Sequence, residues 1–229
     1  MNTFAVVFID LQGSSVMQNK RAALQRKLFA LRDNLNAQFA TALAVPFQIV
    51  WGDELKGVYY HPDGLWELFC HTYAFMKDTP FHCAIGLGTI DTPIPQRGPV
   101  DINVLDGTAF KAARLAMDEL KTYSDITYRL RFGTAGESQY SKSLNAYICI
   151  FNDLIKHMTP AQYRHFVAEI PWHQHQKTNN EKLVSRQATW ETLQRARINA
   201  YRQAHKGLQS LLALGREFPA LMLPGSDDN

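Results

Sequence analysis

The order in which the hydrophobic period changes along the chain constrains its fold more than any single residue does. "FAVVFID" (4–10) is a β-rich apolar run, long enough for a central strand. From Asn19 to about Leu43 the apolar positions are Leu24, Leu28, Leu31, Leu35, Phe39 and Leu43. Steps of three and four draw one face of a long amphipathic helix. Pro46 marks its end and starts a second strand. A hairpin over 46–60 follows, with "GDELKG" near its turn. "PDGLWELFCHTYAFM" (62–76) returns to helical spacing, and "FHCAIGLGTI" (81–90) is another apolar strand. Gly86 and Gly88, near the end of that strand, point to close packing or a bulge. Beyond a Pro-rich loop, "DGTAFKAARLAMDELKTY" (106–123) is a helix with Asp106 as candidate N-cap. "DITYRLRFG" (125–133) alternates like a strand with one wet face.

The order β-α-β-β-α-β, then helix and strand, is the ferredoxin-like plan of an α+β domain, with helices on one face of the sheet. After "GTAGESQYSKS" (133–143) the pattern turns wholly helical. Helices are expected over 144–158, over 159–170 with Thr159 at the N-cap and Pro160 at the first helical position, and over 181–214. The division expected is a sheet domain over 1–140 and a helical domain over 141–229, with "PGSDDN" a disordered tail. The 229 residues, 46% hydrophobic and 20% charged, suit a globular protein with a real core. No apolar window spans a membrane. The first fifteen residues lack a basic lead and are cut by Asp10, unlike a signal peptide. Cys70, Cys83 and Cys149 are widely spaced with no Cys-x-x-Cys pair, which points to reduced thiols in a cytoplasmic protein.

Two predicted strands end in an aspartate: "VFID" at Asp10 and "VWGD" at Asp53. Carboxylates brought close repel each other unless a divalent cation bridges them. Mg²⁺ is commonly held by one or two carboxylates together with nucleotide phosphates. The pair Asp10 and Asp53 is therefore a candidate Mg²⁺ or Mn²⁺ site. The loop after Asp10 (Leu11, Gln12, Gly13, Ser14) leads into the long helix, and its amides are candidate phosphate contacts. The plainer reading of Gly52-Asp53 is a hairpin turn. Glu54 is expected on the opposite strand face from Asp53, solvated or in a structural ion pair. Arg114 either pairs with a surface carboxylate or meets phosphate. His173 and His175 lack the spacing of a zinc site. No nucleophile elbow or Rossmann fingerprint is present.

"FIDLQGSS", "VWGDEL", "AIGLGTIDTP" and "DGTAFKAARLA" occur in an order that resembles class III nucleotidyl cyclases. More closely, the set resembles the SatD family of small bacterial proteins over nearly the whole chain. That family shows a D-x-x-G-S loop, G-D-E-F/L-x-G, a Gly-rich strand and D-G-x-A-x-x-x-A-R. The cyclase resemblance implies a nucleotidyl-cyclase-like sheet domain, a metal held by Asp10 and Asp53, and a site formed between two copies. It also implies a phosphate contact from Arg114. The ribose-orienting Asn of that pattern falls on Phe110, and the purine-selecting Lys falls on Ile49. Two nucleotide-reading residues are therefore replaced, which favours binding over turnover.

"EKLVSRQATWETLQRAR" (181–197) resembles the second half of a helix-turn-helix. Ser185 would cap a recognition helix that offers Arg186, Gln187 and Thr189 to base edges. Arg195 and Arg197 add phosphate contacts. Seven Lys/Arg against two Glu lie between 178 and 216, whereas 1–150 balances at 14 against 14. The turn lacks its usual Gly, and the alternative is a bundle that packs on the sheet or dimerises. The combined expectation is a cytoplasmic regulatory protein. Nucleotide and Mg²⁺ or Mn²⁺ would bias contact with DNA or a protein partner through the C-terminal helices, with a homodimer implied by the resemblance. The competing classes are a metal-dependent cyclase or phosphoryl-transferase, with Arg129 or Arg131 replacing the lost contacts, and a ligand-free interaction module.

Overall fold

A computed structural model describes residues 3–12, 21–50, 52–76, 79–95, 98–123, 129–136, 138–159, 162, 191 and 198–217. Within them the chain is a mixed α+β protein built on a five-stranded sheet. The order is β1 (Phe4–Leu11), α1 (Arg21–Gln38), β2 (Leu43–Val50), β3 (Glu54–Tyr59), α2 (Leu65–Met76) and β4 (Phe81–Gly88). A 3-10 turn (Ile102–Val104), α3 (Thr108–Thr122), β5 (Leu130–Gly133), α4 (Gln139–Lys156) and α5 (Ile198–Glu217) follow. The strands lie in the order β2-β3-β1-β4-β5. All neighbours are antiparallel except β4 and β5, so β1 ends beside the starts of β3 and β4.

β1 has an apolar side chain at every position but Asp10 because its middle is covered on both faces. Successive side chains point to opposite faces. Ala5, Val7, Ile9 and Leu11 join one cluster with Leu28, Leu31 and Leu35 of α1 and Trp66 and Phe69 of α2. Val6 and Phe8 join a second cluster with Ala109, Phe110, Ala113, Met117 and Leu120 of α3. The sequence places the helices on one face. The structure puts α1 and α2 there but α3 on the other, because α3 carries its own stripe of small apolar side chains. The two β4 glycines admit that stripe. A Cβ on Gly86 would lie 2.0 Å from the Ala109 carbonyl oxygen and 2.2 Å from the Ala113 nitrogen. One on Gly88 would lie 2.4 Å from Thr108 Oγ1.

Three predicted boundaries move. α1 ends at Gln38, and Leu43 opens β2 instead of closing the helix. Leu43 is buried in the cluster with α1 and α2 and Val45 in the cluster with α3, because the pairing register shifts between them, and the exposed Pro46 sits within this edge strand. Asp106 does not cap α3. Gly107 occupies the N-cap, and the Asp106 carboxylate accepts from the Gly107 N–H at 2.8 Å. α4 starts at Gln139, five residues before the predicted 144. At Thr159 the expected cap is present: Thr159 Oγ1 accepts from Gln162 N at 3.3 Å, and Gln162 Oε1 accepts from Thr159 N at 2.8 Å.

α4 and α5 pack into the cluster that covers α1 and α2. The Trp66 and Phe151 rings lie 4.2 Å apart, and Trp66 Nε1 donates to the Tyr201 hydroxyl at 3.2 Å. Tyr140 donates to the Leu211 carbonyl at 2.9 Å, and Gln209 Nε2 to Glu67 Oε1 at 2.6 Å. Arg216 pairs with Asp63 at 2.6 Å.

Gly86→Ala is expected to force α3 off the sheet and to destabilise by about 1–3 kcal/mol. A matched pair of urea denaturation curves checks this. An unchanged midpoint would mean that α3 is not held so close.

Candidate functional site

The functional candidates converge where β1 ends. Asp10 pairs across to Glu54 on β3 and to His82 on β4. Directly paired residues project from the same face of a sheet. Phe8 stands opposite Lys56, two residues along β3 from Glu54. Asp10, Glu54, Lys56 and His82 thus share the face on which α3 lies. The last turn of α3 delivers Lys121, whose Nζ lies 2.8 Å from Asp10 Oδ2. Lys56 Nζ lies 3.4 Å from Glu54 Oε2 and 4.7 Å from the centre of the Phe8 ring.

The two ion pairs differ in exposure. Lys56 is only 9% exposed and Glu54 19%, while Lys121 is 52% exposed against 17% for Asp10. Burial raises the Glu54 carboxyl above the ordinary 4.5; the Lys56 charge and hydrogen bond pull it back, and Asp10 adds to the rise. Partial burial works against the Lys121 ammonium, but the hydrogen bond and charge of Asp10, with Glu54 and Asp118, outweigh it and hold its pKa up. Burial lowers the His82 imidazole, opposed by Asp10, so its ring is neutral near pH 7. The amide nitrogen of Gln12 meets His82 Nε2. The buried Nδ1 of the ring has no hydrogen-bond partner among the described residues.

Asp53 sits in the β2–β3 turn, half-buried, after Gly52 at φ 88°. Its carbonyl accepts from Leu11 N at 3.4 Å, which brings the backbones of the two predicted metal residues side by side. The acid directly across from Asp10, however, is Glu54. Gln12 N donates to the Pro80 carbonyl at 3.1 Å. The Leu11 and Gln12 amides are therefore already used. Gly13 and Ser14 lie outside the described residues, as do Arg186, Gln187, Thr189, Arg195 and Arg197. Arg114 is exposed on α3, seven residues before Lys121. Seven residues are about 10 Å of helix and nearly two full turns, so both lie on one stripe. Phe110, at the position of the ribose-orienting Asn, is buried against Phe8 with ring centres 6.3 Å apart. Ile49 packs partly buried on the other cluster. Arg131 is paired with Glu119, and the Arg129 guanidinium lies over Tyr73 at 5.1 Å and Phe81 at 5.4 Å.

Among the described residues no group of three or more His, Cys, Asp or Glu is arranged to hold a metal ion. The donors at the rim are carboxylates, the right kind for Mg²⁺ or Mn²⁺, but too few to enclose one. An ion held there would have to complete its shell with water and phosphate oxygens. The sequence reading missed Lys56, His82 and Lys121. Lys56 was legible, since alternation puts 54 and 56 on one face. Lys121 was not, because only the crossing of α3 over the sheet brings it to Asp10.

Cys70 and Cys83 are buried free thiols and Cys149 an exposed one. Among the described residues no helix is long and apolar enough to cross a membrane. The family model of the SatD family matches residues 4–193, and no curated protein matches the chain.

Glu54 is raised in the folded state, so its protonation favours folding. That contribution is complete below the unfolded value of 4.5 and is lost as pH rises through the folded-state value. Glu54→Gln, neutral throughout, should gain on the parent protein in urea unfolding as pH rises above about 4.5. A difference that stays constant as pH rises would remove the raised carboxyl.

Proposed function

The chain belongs to the SatD family, and on that footing we propose that it is a regulatory protein that binds a nucleotide with Mg²⁺ or Mn²⁺ at the end of β1. The sheet domain is of the ferredoxin-like, nucleotidyl-cyclase-like plan. The strand order β2-β3-β1-β4 with antiparallel neighbours supports that assignment. The observation that carries the proposal is the meeting of the Asp10 strand end with the Asp53–Glu54 turn at one rim. Asp10 and Asp53 would hold the ion, with Glu54 beside them. Gly13, Ser14 and Arg114 would meet phosphates. The ion supplies charge neutralisation between carboxylates and phosphate when bound. The chain's own residues orient and screen it.

Binding without efficient turnover is favoured. The positions that read ribose and base in the cyclase pattern carry Phe110 and Ile49, both apolar and committed to packing. Arg129 and Arg131, the candidates to replace them, are engaged elsewhere. Phosphoryl-transfer catalysis is mostly positioning and charge neutralisation, and the positioning half is missing.

We assign the output to the helices beyond residue 140, which contact DNA through Arg186, Gln187, Thr189, Arg195 and Arg197, with a protein partner as the alternative. α5 begins immediately after that segment and is bonded to α2 through Tyr201 and Gln209. A change in how α2 sits on the sheet is therefore felt by α5. Homodimerisation would place Arg114 of a second copy near the rim.

Thermal unfolding with ATP, GTP or cyclic nucleotides plus Mg²⁺ tests the first part. At a hundredfold excess over Kd a ligand stabilises by about 2.7 kcal/mol. The shift is expected in the parent protein and absent in Asp10→Asn. Melting temperatures flat against every nucleotide would leave the interaction-module reading instead. For the second part, duplex DNA affinity should fall steeply with salt. Binding indifferent to salt, or none, removes the DNA contact.

A further inference from the structure

The two lysines at the rim have different mechanical situations. Lys56 is nearly buried, salt-bridged to Glu54 and seated over the Phe8 ring, so it belongs to the core of that face. Lys121 is half exposed, and it hangs from the last turn of a helix. Asp118, one turn earlier on α3, already acts on its charge. At i, i+3 spacing the two side chains are neighbours on one helix face, so a second acid stands beside Lys121. Asp10 has Lys121 as its ion-pair partner through Oδ2 at 2.8 Å, so a cation at that oxygen competes with the ammonium.

We infer that Lys121 is the resident counter-ion of this rim and its gate: its ammonium occupies the place beside Asp10 that the divalent cation takes, and binding exchanges one for the other. The inference rests on the metal reading above and adds a residue that sets the affinity. In the resting protein the amine neutralises Asp10 and spares the strand end an unpaired charge. When Mg²⁺ or Mn²⁺ arrives with a nucleotide, Lys121 leaves Asp10 for Asp118 or for the phosphates. The chemistry is simple cation exchange: a +1 group departs, a +2 ion arrives, and no bond to carbon changes. The site is thereby kept from binding free divalent ion and favours an ion delivered with phosphate, whose negative charge gives the displaced ammonium a partner.

Mn²⁺ titration followed by electron paramagnetic resonance, with and without a non-hydrolysable ATP analogue, tests this on the full chain. Lys121→Met should bind Mn²⁺ about two- to fivefold more tightly than the parent protein, the effect of removing one half-exposed ion pair. It should also lose much of the dependence on nucleotide. Lys121→Arg, which keeps the charge, should restore parent behaviour, and Asp10→Asn should abolish binding in either background. Circular dichroism confirms that each variant is folded. Parent protein that binds Mn²⁺ while Lys121→Met binds it equally or more weakly overturns the gate and leaves the metal site standing. No Mn²⁺ binding by either protein, with or without nucleotide, overturns the metal reading and the gate together.

Discussion

α3 lies so close to the sheet that one methyl group at Gly86 would strike the backbone of Ala109 and Ala113. That contact decides most of what matters at the rim. It puts Phe110 into the core beside Phe8 and leaves Arg114 outside. It also brings the last turn of α3 down over the end of β1, where Lys121 meets Asp10. Were the helix held a side chain's width further out, Asp10 and Glu54 would face each other across the ladder with only Lys56 between them. Like charges directly opposite on paired strands are destabilising.

Charge compensation at this strand end is uneven, and the unevenness is the chemically useful part. Lys56 and Glu54 form a screened, nearly buried pair whose disruption would strand a charge in apolar surroundings. Lys121 and Asp10 form an open pair of the kind that contributes little to stability and is readily exchanged. His82 adds a neutral ring whose buried Nδ1 lacks a hydrogen-bond partner among the described residues.

The opposite face serves a different purpose. There α1, α2, α4 and α5 share one apolar cluster, tied by the Trp66–Tyr201 hydrogen bond and the Gln209–Glu67 contact. α4 and α5 therefore continue the core of the sheet.

Much of this architecture was legible in the residues alone. The apolar run at 4–10, the leucine steps along α1, the hairpin around Gly52-Asp53 and the close packing implied by Gly86 and Gly88 all follow from short-range rules of periodicity and backbone freedom. Those rules see only neighbours along the chain. They set Asp10 at a strand end and Asp53 in the adjoining turn. They also extended α1 to Leu43, because Leu43 continues the helical spacing of Leu35 and Phe39. The tertiary structure decided what faces what. The β1–β3 register made Glu54 the acid opposite Asp10, and the descent of α3 on the second face made Lys121 its partner. Neither has a local signature: a side chain's electrostatic partner is set by where separate elements cross in space, and residues 10 and 121 meet only once the sheet and the helix have packed.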